Sequence, residues 1–489
     1  MTASMPEPTR PADADVPLVT RDTLRAAGRA PELPFRVALA DGSELRATRM
    51  LRNLPGKRIV AQAELGDCTV LAKLYIGDGS ARHWARERDG VGHLVHAGLP
   101  TPGLIAAAPL AAGGYAIVTE FLAESETLLQ AWQRVARPTP GSDECREILE
   151  PAFALLGRMH ACGITHEDLH LGNFLKHGDD LYVIDGDTVQ RRAASTLDPE
   201  QARDNLALLI AQLPMAWDRA LEPLLAAYAR GNPTLGATPS ELNPVIERAR
   251  SRRLADYLGK VRRNCSLFRV EKRFSRYAAL FRPSEAEIDI LLQDPDRGVE
   301  DGDRLKSGGT CTVARVRGAT RALVIKRYNL KSRKHALSRI WRPSRAWHSW
   351  VEGNRLRLLG IPTPAPLAVI EERWGPLRGR AWLITDYCAG PNLAEHLAAD
   401  REPPPREAEA IRTVFDTLFR AHISHGDMKA TNLLWSGGEL YLIDLDAMRQ
   451  HRSADAHRRA WRRDRTRFLK NWPAGSALHR WLEAHLPPA

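Results

Sequence analysis

The pattern that decides the fold is HEDLHLGNFL at residues 166–175, which recurs as HGDMKATNLL at residues 425–434. In both stretches an Asp stands two residues after a His, and an Asn follows that Asp by five residues. A further Asp follows each Asn by twelve residues, within LYVIDGD (residues 181–187) and LYLIDLD (residues 440–446). One polar loop could owe its Asn and Asp to turn formation, but two copies with the same spacing favour a shared chemical site.

The repetition extends along most of the chain. GLPTP at residues 98–102 recurs as GIPTP at residues 360–364, and the three repeated motifs keep their order. Two motif pairs are separated by 259 residues and the third by 262, a period that indicates duplicated domains and not a solenoid. We therefore predict a flexible tail at residues 1–30 and two homologous domains at residues 31–265 and 266–489, with no clean linker at their border.

Each copy is predicted to have a β-rich first lobe and a helical second lobe. In the first copy, TVLAKLY (residues 69–75) and YAIVTEFL (residues 115–122) are predicted strands, with a charged helix at residues 81–97 between them. The second copy has the same order, with ALVIKRY, a helix at residues 344–359, and AWLITDY. Apolar residues at helical spacing follow in both copies, so the predicted fold class is α+β.

The composition is that of a globular protein with more than one domain. The 489 residues are 44% hydrophobic and 26% charged, and single cores seldom grow beyond about 300 residues. No stretch has the roughly 20 apolar residues of a membrane span, and the first residues do not resemble a secretory signal. The six cysteines form no CxxC pair, which argues against a zinc site or a disulfide framework and favours a reducing cytoplasm.

The charge balance favours an anionic partner. The chain has 70 Lys and Arg against 59 Asp and Glu, a net charge of +11, with basic clusters at residues 252–276 and 449–470. This excess fits a nucleic acid, an anionic membrane face or a phosphorylated substrate, or else only an Arg-rich bacterial composition. The sequence has no basic strands interleaved with aromatic residues, so we expect no nucleic-acid partner.

The repeated Asp and Asn residues suit phosphoryl transfer. Asp168 and Asp427, the first Asp of each copy, can accept the proton of an attacking hydroxyl or orient that hydroxyl. The later residues are hard oxygen ligands, which suit Mg²⁺ bound to the phosphates of ATP. These predicted metal ligands are Asn173 and Asp185 in the first copy and Asn432 and Asp444 in the second.

A strand lysine precedes this group in each copy. Lys73 and Lys326 alternate with apolar residues and can reach the α- and β-phosphates of a nucleotide. Glu87 is the predicted ion-pair partner of Lys73, and Glu352 that of Lys326. The spacing differs, because Glu87 lies eleven residues before GLPTP and Glu352 only eight residues before GIPTP. A lone strand lysine is usually a solvated charge, and it is the downstream Asp and Asn group that favours nucleotide binding here.

A glycine-containing loop precedes each lysine strand and could cover the phosphates. The first copy offers Gly56 in NLPGKR (residues 53–58), and the second offers Gly308 and Gly309 in KSGGTCTVARV (residues 306–316). Neither loop has the GxGxxG pattern or the GK[ST] of a P-loop. A glycine between two strands is often only a hairpin turn, so these loops support the nucleotide-site hypothesis without deciding it.

The ordered set of strand Lys, helix Glu, HxDxxxxN and later Asp resembles the protein-kinase-like superfamily. Four stretches, GIPTP, HGDMKATNLLW, YLIDLDAMR and IKRYNLKS, are similar to one branch of it, the bacterial lipopolysaccharide core kinases. The resemblance covers both copies outside residues 1–30. It implies ATP- and Mg²⁺-dependent phosphate transfer to a heptose or Kdo hydroxyl of the lipopolysaccharide inner core. It also implies a cytoplasmic protein peripherally bound to the anionic inner membrane.

The chain departs from a eukaryotic-type kinase in several places. Asp-Gly-Asp and Asp-Leu-Asp stand where Asp-Phe-Gly would be, and no Ala-Pro-Glu segment follows. The second Asp of each pair is either an extra metal ligand or a structural acceptor. Lys429 follows Asp427 by two residues and could neutralise the transferring phosphoryl group, whereas the first copy has His170 at that position. We therefore expect the second copy to be the main centre, with the first active as well or degenerate.

Further comparison of the two copies, and of other functions, leaves alternatives open. Asp204 and Asp464 stand at similar distances after the repeated Asp pairs, which favours a structural role for both. The main alternative function is a scaffold of two kinase-like folds that organises lipopolysaccharide core assembly without catalysis. An aminoglycoside-type kinase is a poor fit, because sites for cationic drugs tend to be acidic.

Overall fold

A computed structural model of the chain describes residues 16–135, 139–236, 238–329 and 343–488. By compactness the chain divides into two units. The first covers the chain up to Leu213 together with Trp217–Arg250, and the second covers Pro214–Ala216 together with the chain from Ser251 onward. The division falls inside a long helix, at a different place from the predicted border at residues 265–266, and that border stays a prediction.

The first unit opens with a six-stranded antiparallel sheet. Its strands are β1 (Phe35–Ala38), β2 (Glu44–Leu54), β3 (Arg58–Leu65), β4 (Cys68–Tyr75), β5 (Leu104–Pro109) and β6 (Tyr115–Glu120), and its helices are α1 (Arg21–Ala26) and α2 (Ser80–His96). The order across the sheet is β1-β2-β3-β4-β6-β5. Along β3, the buried Ile59, Ala61 and Ala63 alternate with half-exposed residues, the period of two of a sheet with one face on a core. The predicted lysine strand is β4, and the predicted charged helix is α2.

Residues 16–30, which the sequence analysis assigned to a flexible tail, pack on this sheet. Val16 and Leu24 are buried, and Leu18 forms a parallel bridge with Arg36. Thr20 caps α1 by accepting a hydrogen bond from the backbone N–H of Thr23. The prediction of a tail is therefore wrong for these residues, because their apolar side chains complete the core of the sheet. Residues 1–15 lie outside the described part of the chain.

The second lobe of the first unit is helical. Its elements are β7 (Glu126–Thr127), α3 (Leu128–Arg134), α4 (Asp143–Ala161), β8 (Ile164–His166), β9 (Phe174–His177), β10 (Asp180–Val183), β11 (Val189–Arg191), α5 (Pro199–Ile210), α6 (Leu221–Gly231) and α7 (Pro239–Lys260). The core is built around α4, where Leu149, Phe153 and Leu156 recur at helical spacing and are fully buried. The loop between β8 and β9 carries the HEDLHLGN motif and lies against this core.

The second unit opens with a seven-stranded antiparallel sheet. Its elements are β12 (Phe268–Lys272), β13 (Arg276–Phe281), α8 (Glu285–Gln293), α9 (Pro295–Asp301), β14 (Asp303–Ser307), β15 (Cys311–Arg317), β16 (Ala322–Tyr328), α10 (Arg345–Leu358), β17 (Pro366–Trp374) and β18 (Leu377–Asp386). The order across the sheet is β12-β13-β17-β18-β16-β15-β14. The motif IKRYNLKS begins on β16, and its end after Asn329 lies outside the described residues.

The two sheets share five strands in one order and differ at their edges. The strands β2, β3, β4, β6 and β5 of the first sheet correspond to β14, β15, β16, β18 and β17 of the second, in that order across the sheet. Lys73 lies opposite Ile117, and Lys326 lies opposite Leu383. The first sheet adds β1 beside the glycine hairpin, whereas the second adds β12 and β13 at the opposite edge. The lysine strand is thus central in both sheets, where each lysine has a strand on either side.

The second lobe of the second unit is again helical. Its elements are α11 (Leu393–His396), α12 (Pro405–Arg420), β19 (Ile423–Ser424), β20 (Leu433–Ser436), β21 (Glu439–Leu442), β22 (Arg449–Gln450), α13 (Ala454–Leu469) and α14 (Ala477–His485). Helix α12 starts with Pro405 at its first position and buries Ile411, Phe415 and Leu418 on one face. The α+β class, with a β-rich and a helical lobe in each copy, is therefore confirmed. Across the described ranges, no helix is long and apolar enough to cross a membrane.

Candidate active sites

In the second unit the HGDMKATN loop runs from β19 to β20 and is tied down on both sides. His425 is fully buried, and its Nε2 lies 3.0 Å from the carbonyl oxygen of Ile443. The buried Asp464 of α13 accepts hydrogen bonds from the backbone N–H groups of His425 at 2.6 Å and Gly426 at 3.1 Å. Because buried N–H groups are costly when unpaired, these bonds hold the loop in one conformation.

Asp427 lies in this loop between two cations. Lys429 Nζ donates to its carboxylate at 3.1 Å, and Arg467 of α13 forms an ion pair with it. Partial burial raises the pKa of Asp427, but the hydrogen bonds and charges of Lys429 and Arg467 outweigh burial and hold that pKa below its usual value. The carboxylate is therefore ionised at neutral pH, the form that can accept a proton.

Asn432 and Asp444 present oxygen atoms to one cavity. Asn432 Nδ2 donates to the backbone carbonyl of Asp427 at 2.9 Å, which leaves the amide oxygen without a hydrogen bond among the described residues. Asp444 follows β21 with φ of 61°, a left-handed conformation that residues other than Gly seldom adopt. Such strain persists where the surrounding structure over-determines it, and here it sets the direction of the carboxylate.

These two residues fit a magnesium site. Mg²⁺ takes oxygen ligands, usually one or two protein side chains together with waters and substrate phosphates. Among the described residues no group of three or more His, Cys, Asp or Glu is placed to hold a metal ion, so this part of the chain offers no closed cage of these residues. The Asp444 side chain is partly accessible, with 35% of its surface exposed. An open pair of this kind suits a metal that arrives with a nucleotide.

Lys326 pairs with the Asp-Leu-Asp sequence and not with the predicted glutamate. Its Nζ lies 2.6 Å from Asp444 Oδ1 and 3.1 Å from Asp446 Oδ1. Burial lowers the pKa of Lys326, but the neighbouring charges, including those of Asp446 and Asp444, outweigh it and raise that pKa above its usual value. Glu352 instead pairs with Arg355 at 2.8 Å, one turn along the same helix. The predicted Lys326–Glu352 pair is therefore wrong.

Ser349 occupies the helix position at which the first copy has its glutamate. It lies eleven residues before GIPTP, the same spacing that separates Glu87 from GLPTP. Its hydroxyl donates to Asp446 Oδ1 at 2.8 Å, and the Tyr328 hydroxyl donates to the same oxygen at 2.7 Å. Asp446 is thus the anion that anchors Lys326 in the second unit. The spacing of eleven residues was the sequence signal for this substitution.

A cavity of about 410 Å³ joins these groups. Its apolar lining includes Val313, Val324 and Leu434, and its polar lining includes Lys326, Asn432 and Asp444. Residues 386–388, at the end of β18 and just after it, also line the cavity. Apolar walls with a few placed polar groups are typical of a small-molecule site. An aromatic base suits the apolar part, and phosphates suit the lysine and the metal ligands.

The glycines predicted to cover phosphates lie in hairpin turns. Gly56 has φ of 66° between β2 and β3, where a side chain would be strained. Gly308 and Gly309 lie between β14 and β15, and the Gly308 N–H donates to the Cys311 carbonyl at 3.1 Å, which closes that turn. The two turns directly precede β3 and β15, the strands that pair with the lysine strands β4 and β16. A role in phosphate binding stays a prediction for all three glycines.

In the first unit Lys73 pairs with Glu87, the contact predicted from the sequence. Glu87 is buried and also accepts hydrogen bonds from the backbone N–H groups of Gly186 at 3.2 Å and Asp187 at 3.0 Å. The helix α2 is thereby fastened to the Asp-Gly-Asp sequence. A role of Lys73 and Glu87 in nucleotide binding stays a prediction.

The Asp and Asn residues of the first unit have different surroundings from those of the second. Asp168 is exposed, and the neighbouring Glu167 pairs with Arg192. Asn173 is 1% exposed, and its Oδ1 accepts a hydrogen bond from the His170 N–H at 3.1 Å. The amide oxygen of Asn173 thus accepts a backbone hydrogen bond that Asn432 Oδ1 of the second unit does not accept among the described residues, and the role of Asn173 as a metal ligand stays a prediction.

Asp185 of the first unit is already flanked by cations. Its Oδ1 lies 3.5 Å from Lys73 Nζ and 3.6 Å from an Arg58 Nη. Burial raises the pKa of Asp185, but the charges of Lys73 and Arg58 outweigh it and lower that pKa to about 2. Cys311 stands opposite Tyr328 in the second unit, as Arg58 stands opposite Tyr75 in the first, so the second unit has no arginine at this position.

Asn205 of α5, and not Asp204, holds the loop of the first unit. Its side chain accepts from the His166 N–H at 3.2 Å and donates to the His166 carbonyl at 2.8 Å. Asp204 is exposed, so its predicted structural role is wrong, whereas Asp464 has such a role in the second unit. The shared spacing of 39 residues from the loop histidine marks Asn205 as the counterpart of Asp464.

Comparison with known proteins identifies the class of this two-lobed fold and site. A sequence profile of the lipopolysaccharide kinase (Kdo/WaaP) family matches residues 79–228 and 292–472, about two thirds of the chain. The chain therefore belongs to the lipopolysaccharide kinase (Kdo/WaaP) family, which confirms the resemblance predicted from the sequence. A kinase of this family uses a nucleotide as phosphate donor and lipopolysaccharide as acceptor class.

Two solved structures are similar to parts of the chain. One is WaaP in complex with acyl carrier protein, with 24% identity and a TM-score of 0.31, covering 42% of this chain and 88% of that one. The other is vaccinia related kinase 3, with 10% identity and a TM-score of 0.28, covering 50% of this chain and 81% of that one. A search of curated protein sequences found no significant match.

Proposed function

We propose that the second unit transfers the γ-phosphate of ATP to a hydroxyl of a heptose or Kdo residue in the lipopolysaccharide inner core. The observation that carries this proposal is the single cavity in which Lys326, Asn432 and Asp444 meet, with Asp427 hydrogen bonded to Asn432 beside it. All four side chains have the chemistry that phosphoryl transfer needs. Family membership supports the reaction class, and the cavity supports its location.

In this proposal the side chains around the cavity bind the phosphates of ATP and the group that is transferred. Lys326 neutralises the α- and β-phosphates, and Asp446 keeps its ammonium in place. Asp444 and Asn432 would hold Mg²⁺, which would supply charge neutralisation at the phosphates. Lys429 lies beside Asp427, where its charge stabilises the negative charge that develops on the transferred group.

Asp427 orients the acceptor and receives its proton. As the hydroxyl oxygen forms its bond to the γ-phosphorus, the bond from that phosphorus to the bridging oxygen of ADP breaks. The hydroxyl proton passes to the ionised carboxylate of Asp427. Because the transition state is loose, the main contributions of the protein are position and charge, not covalent chemistry.

The acceptor is anionic, which fits the surface next to Asp427. Exposed arginines lie along helix α13 from Arg458 to Arg467. The last of them, Arg467, contacts Asp427. The exposed arginines on this helix are Arg458, Arg459, Arg462, Arg463 and Arg467. A phosphorylated or carboxylated sugar would be attracted along this face towards the catalytic loop. Exposed charges are also usual on a surface helix with no binding role. The contact between Arg467 and Asp427 is what favours a role in binding the acceptor.

We also propose that the second unit touches an anionic membrane surface through two hairpin tips. Phe274, between β12 and β13, and Trp374, at the end of β17, are 65% and 68% exposed and stack edge to face at 5.6 Å. Exposed aromatic pairs suit the headgroup region of a bilayer. Arg273, beside Phe274, pairs with Glu271 but keeps 72% of its side chain exposed, and a basic residue near an anionic surface contributes about 1 kcal/mol.

Single substitutions in the two catalytic loops test this proposal. Asp427→Ala should abolish phosphate transfer to purified core oligosaccharide, and the matched Asp168→Ala should leave most of the activity. The readout is the phosphate count of the oligosaccharide by mass spectrometry. Turnover of Asp427→Ala at the level of the unsubstituted protein would refute the assignment of the second unit as the centre.

The alternative function is a non-catalytic scaffold for lipopolysaccharide core assembly. The complete set of catalytic side chains in the second unit argues against it. The phosphate count of lipopolysaccharide from cells depleted of this protein separates the two functions. A lower count supports the kinase, whereas an unchanged count with mislocalised core enzymes supports the scaffold.

A further inference from the structure

The first unit keeps the strand lysine, a buried anion beside it and the strand order of the site proposed in the second unit. Lys73 and its buried partner Glu87 are in place, and the lysine strand has the same neighbours as in the second unit. The strand register sets Val60 opposite Lys73, as it sets Val313 opposite Lys326. Val60 is half-buried, as are Leu71, Leu175 and Ile184, the counterparts of further residues that line the second cavity.

The same unit is less suited to a divalent cation than the second unit, although Asp185 Oδ1 is buried and accepts no hydrogen bond among the described residues. Arg58 and Lys73 both lie within 3.6 Å of Asp185 Oδ1, the oxygen that a metal would need. The amide oxygen of Asn173 is buried and bonded to the backbone. A lysine lies beside the aspartate in both units, so the difference lies in Arg58 and Asn173. The added guanidinium of Arg58 would repel a doubly charged ion, and the Asn173 amide oxygen already accepts a backbone hydrogen bond, which the Asn432 oxygen of the second unit does not among the described residues.

Arg58 is itself suited to a phosphate. A guanidinium presents several N–H donors in a plane and forms charge-assisted hydrogen bonds with phosphate oxygens. It comes from the first residue of β3, directly after the Gly56 turn, which is the turn predicted to cover phosphates. Its charge sits where a metal would otherwise neutralise the nucleotide.

We propose that the first unit binds a nucleoside di- or triphosphate without a divalent cation, with Arg58 and Lys73 in place of the metal, and that it transfers no phosphate. This inference does not rest on the proposed function of the second unit. It replaces the prediction that Asn173 and Asp185 hold Mg²⁺. It also accounts for the presence of His170 where the second unit has Lys429, since a site without transfer has no developing charge to stabilise.

Binding of a fluorescent ATP analogue to the full chain tests the proposal. Lys326→Met removes binding by the second unit, so that the remaining signal reports the first. In this protein we expect saturable binding in EDTA, with an affinity within a few-fold of that in magnesium. A Lys73→Met/Lys326→Met protein should lose the signal, which assigns the site to the first unit.

Arg58 provides the decisive comparison. On the Lys326→Met background, Arg58→Met should weaken binding in EDTA about tenfold or more, the size expected for one charge-assisted hydrogen bond. Arg88→Met, an exposed arginine on α2, is the matched control and should leave the affinity unchanged. Arg58→Lys keeps the charge and should retain part of the binding if Arg58→Met fails to fold.

Three results would each overturn the proposal. The first is binding to the Lys326→Met protein that appears only with magnesium. The second is metal-free binding that Arg58→Met leaves unchanged in a folded protein. The third is the absence of nucleotide binding to the Lys326→Met protein in both conditions. None of these results depends on whether the second unit phosphorylates lipopolysaccharide, so the two proposals fail independently.

Discussion

Lys326 Nζ lies 3.1 Å from Oδ1 of Asp446, the second acid of the Asp-Leu-Asp sequence. In the first unit the corresponding lysine, Lys73, pairs instead with Glu87 on the neighbouring helix. In the first unit the anion beside the lysine lies on a helix, whereas in the second unit it lies in the Asp-Leu-Asp loop. Ser349 fills the helix position and donates a hydrogen bond to the relocated acid.

This relocation predicts a rescue experiment. Asp446→Asn should lower kcat/KM about 100-fold, because the lysine loses one of its two anions in a buried site. Adding Ser349→Glu should restore part of the loss, since it places an acid where the first unit has Glu87. Steady-state kinetics with varied ATP measures both effects.

The control for that experiment is Glu352→Gln. Glu352 pairs with Arg355, so its substitution should lower stability more than it changes the KM for ATP. A Glu352→Gln protein that loses nucleotide affinity, beside an Asp446→Asn protein that keeps it, would contradict the relocation.

Lys429→His copies the first unit's catalytic loop into the second. We expect kcat to fall about 100-fold or more, the usual effect of removing one group that stabilises developing charge, with little change in the KM for ATP. The reverse change, His170→Lys, should create no activity in an Asp427→Ala protein, because the Asn173 amide oxygen still accepts a backbone hydrogen bond and the Arg58 guanidinium still lies beside Asp185. Measurable transfer by that reverse variant would show that the lysine alone decides activity.

Asp464 is predicted to hold the catalytic loop through its two amide contacts. Asp464→Ala leaves the buried His425 N–H unpaired and removes the partner of the Gly426 N–H, and it should cost about 1–3 kcal/mol of unfolding free energy, together with most of the activity. Asp464→Asn copies Asn205 and should retain more of both. Asp204→Ala, at an exposed aspartate, is the control for chemical denaturation. Equal losses in the Asn and Ala variants would argue that charge, and not hydrogen bonding, holds the loop.

Burial of His160 makes the first unit sensitive to acid. Burial lowers the pKa of His160 to about 4, although its hydrogen bond to Asn205 opposes this effect. In the unfolded chain a histidine has a pKa of about 6.5, so as pH falls towards 4 the unfolded state takes up a proton that the folded state excludes. Stability should therefore fall by up to about 3 kcal/mol over this range.

Hydrogen exchange with mass spectrometry can localise that loss to the first unit. His160→Gln should flatten the dependence of exchange protection on pH, whatever its effect on stability at neutral pH. The exposed His96→Gln should preserve the dependence. A pH dependence that survives His160→Gln would assign the acid sensitivity to another group.

Binding to vesicles tests the aromatic tips of the second unit. Phe274→Ala/Trp374→Ala should weaken binding to vesicles that contain anionic lipid, and added salt should weaken binding of the unsubstituted protein. Ile290→Ala, which removes an even more exposed apolar side chain from the same unit, is the control. Equal effects of the two changes would indicate nonspecific adsorption.

Much of the fold was predictable because its strands and helices follow from local patterns of apolar and polar residues. Strand alternation and helical spacing located β4, β6 and α2 to within about two residues, since both signals depend only on nearby side chains. The duplication was visible because the motifs are short and keep their order. The assignment of residues 16–30 to a tail failed because their partners, the strands of the first sheet, lie farther along the chain.

The residues of the candidate sites could be predicted from the sequence, but the contacts between their side chains could not. The two kinase-like copies, their lysines, and their Asp and Asn residues could be located from sequence, because these residue types stand at fixed spacings. The contacts of Lys326 with Asp444 and Asp446 instead of Glu352, and the position of Arg58 beside Asp185, became visible in the folded chain. Contacts of this kind join strands, helices and loops that lie up to about 130 residues apart. Their formation depends on how the lobes pack, which no local pattern records.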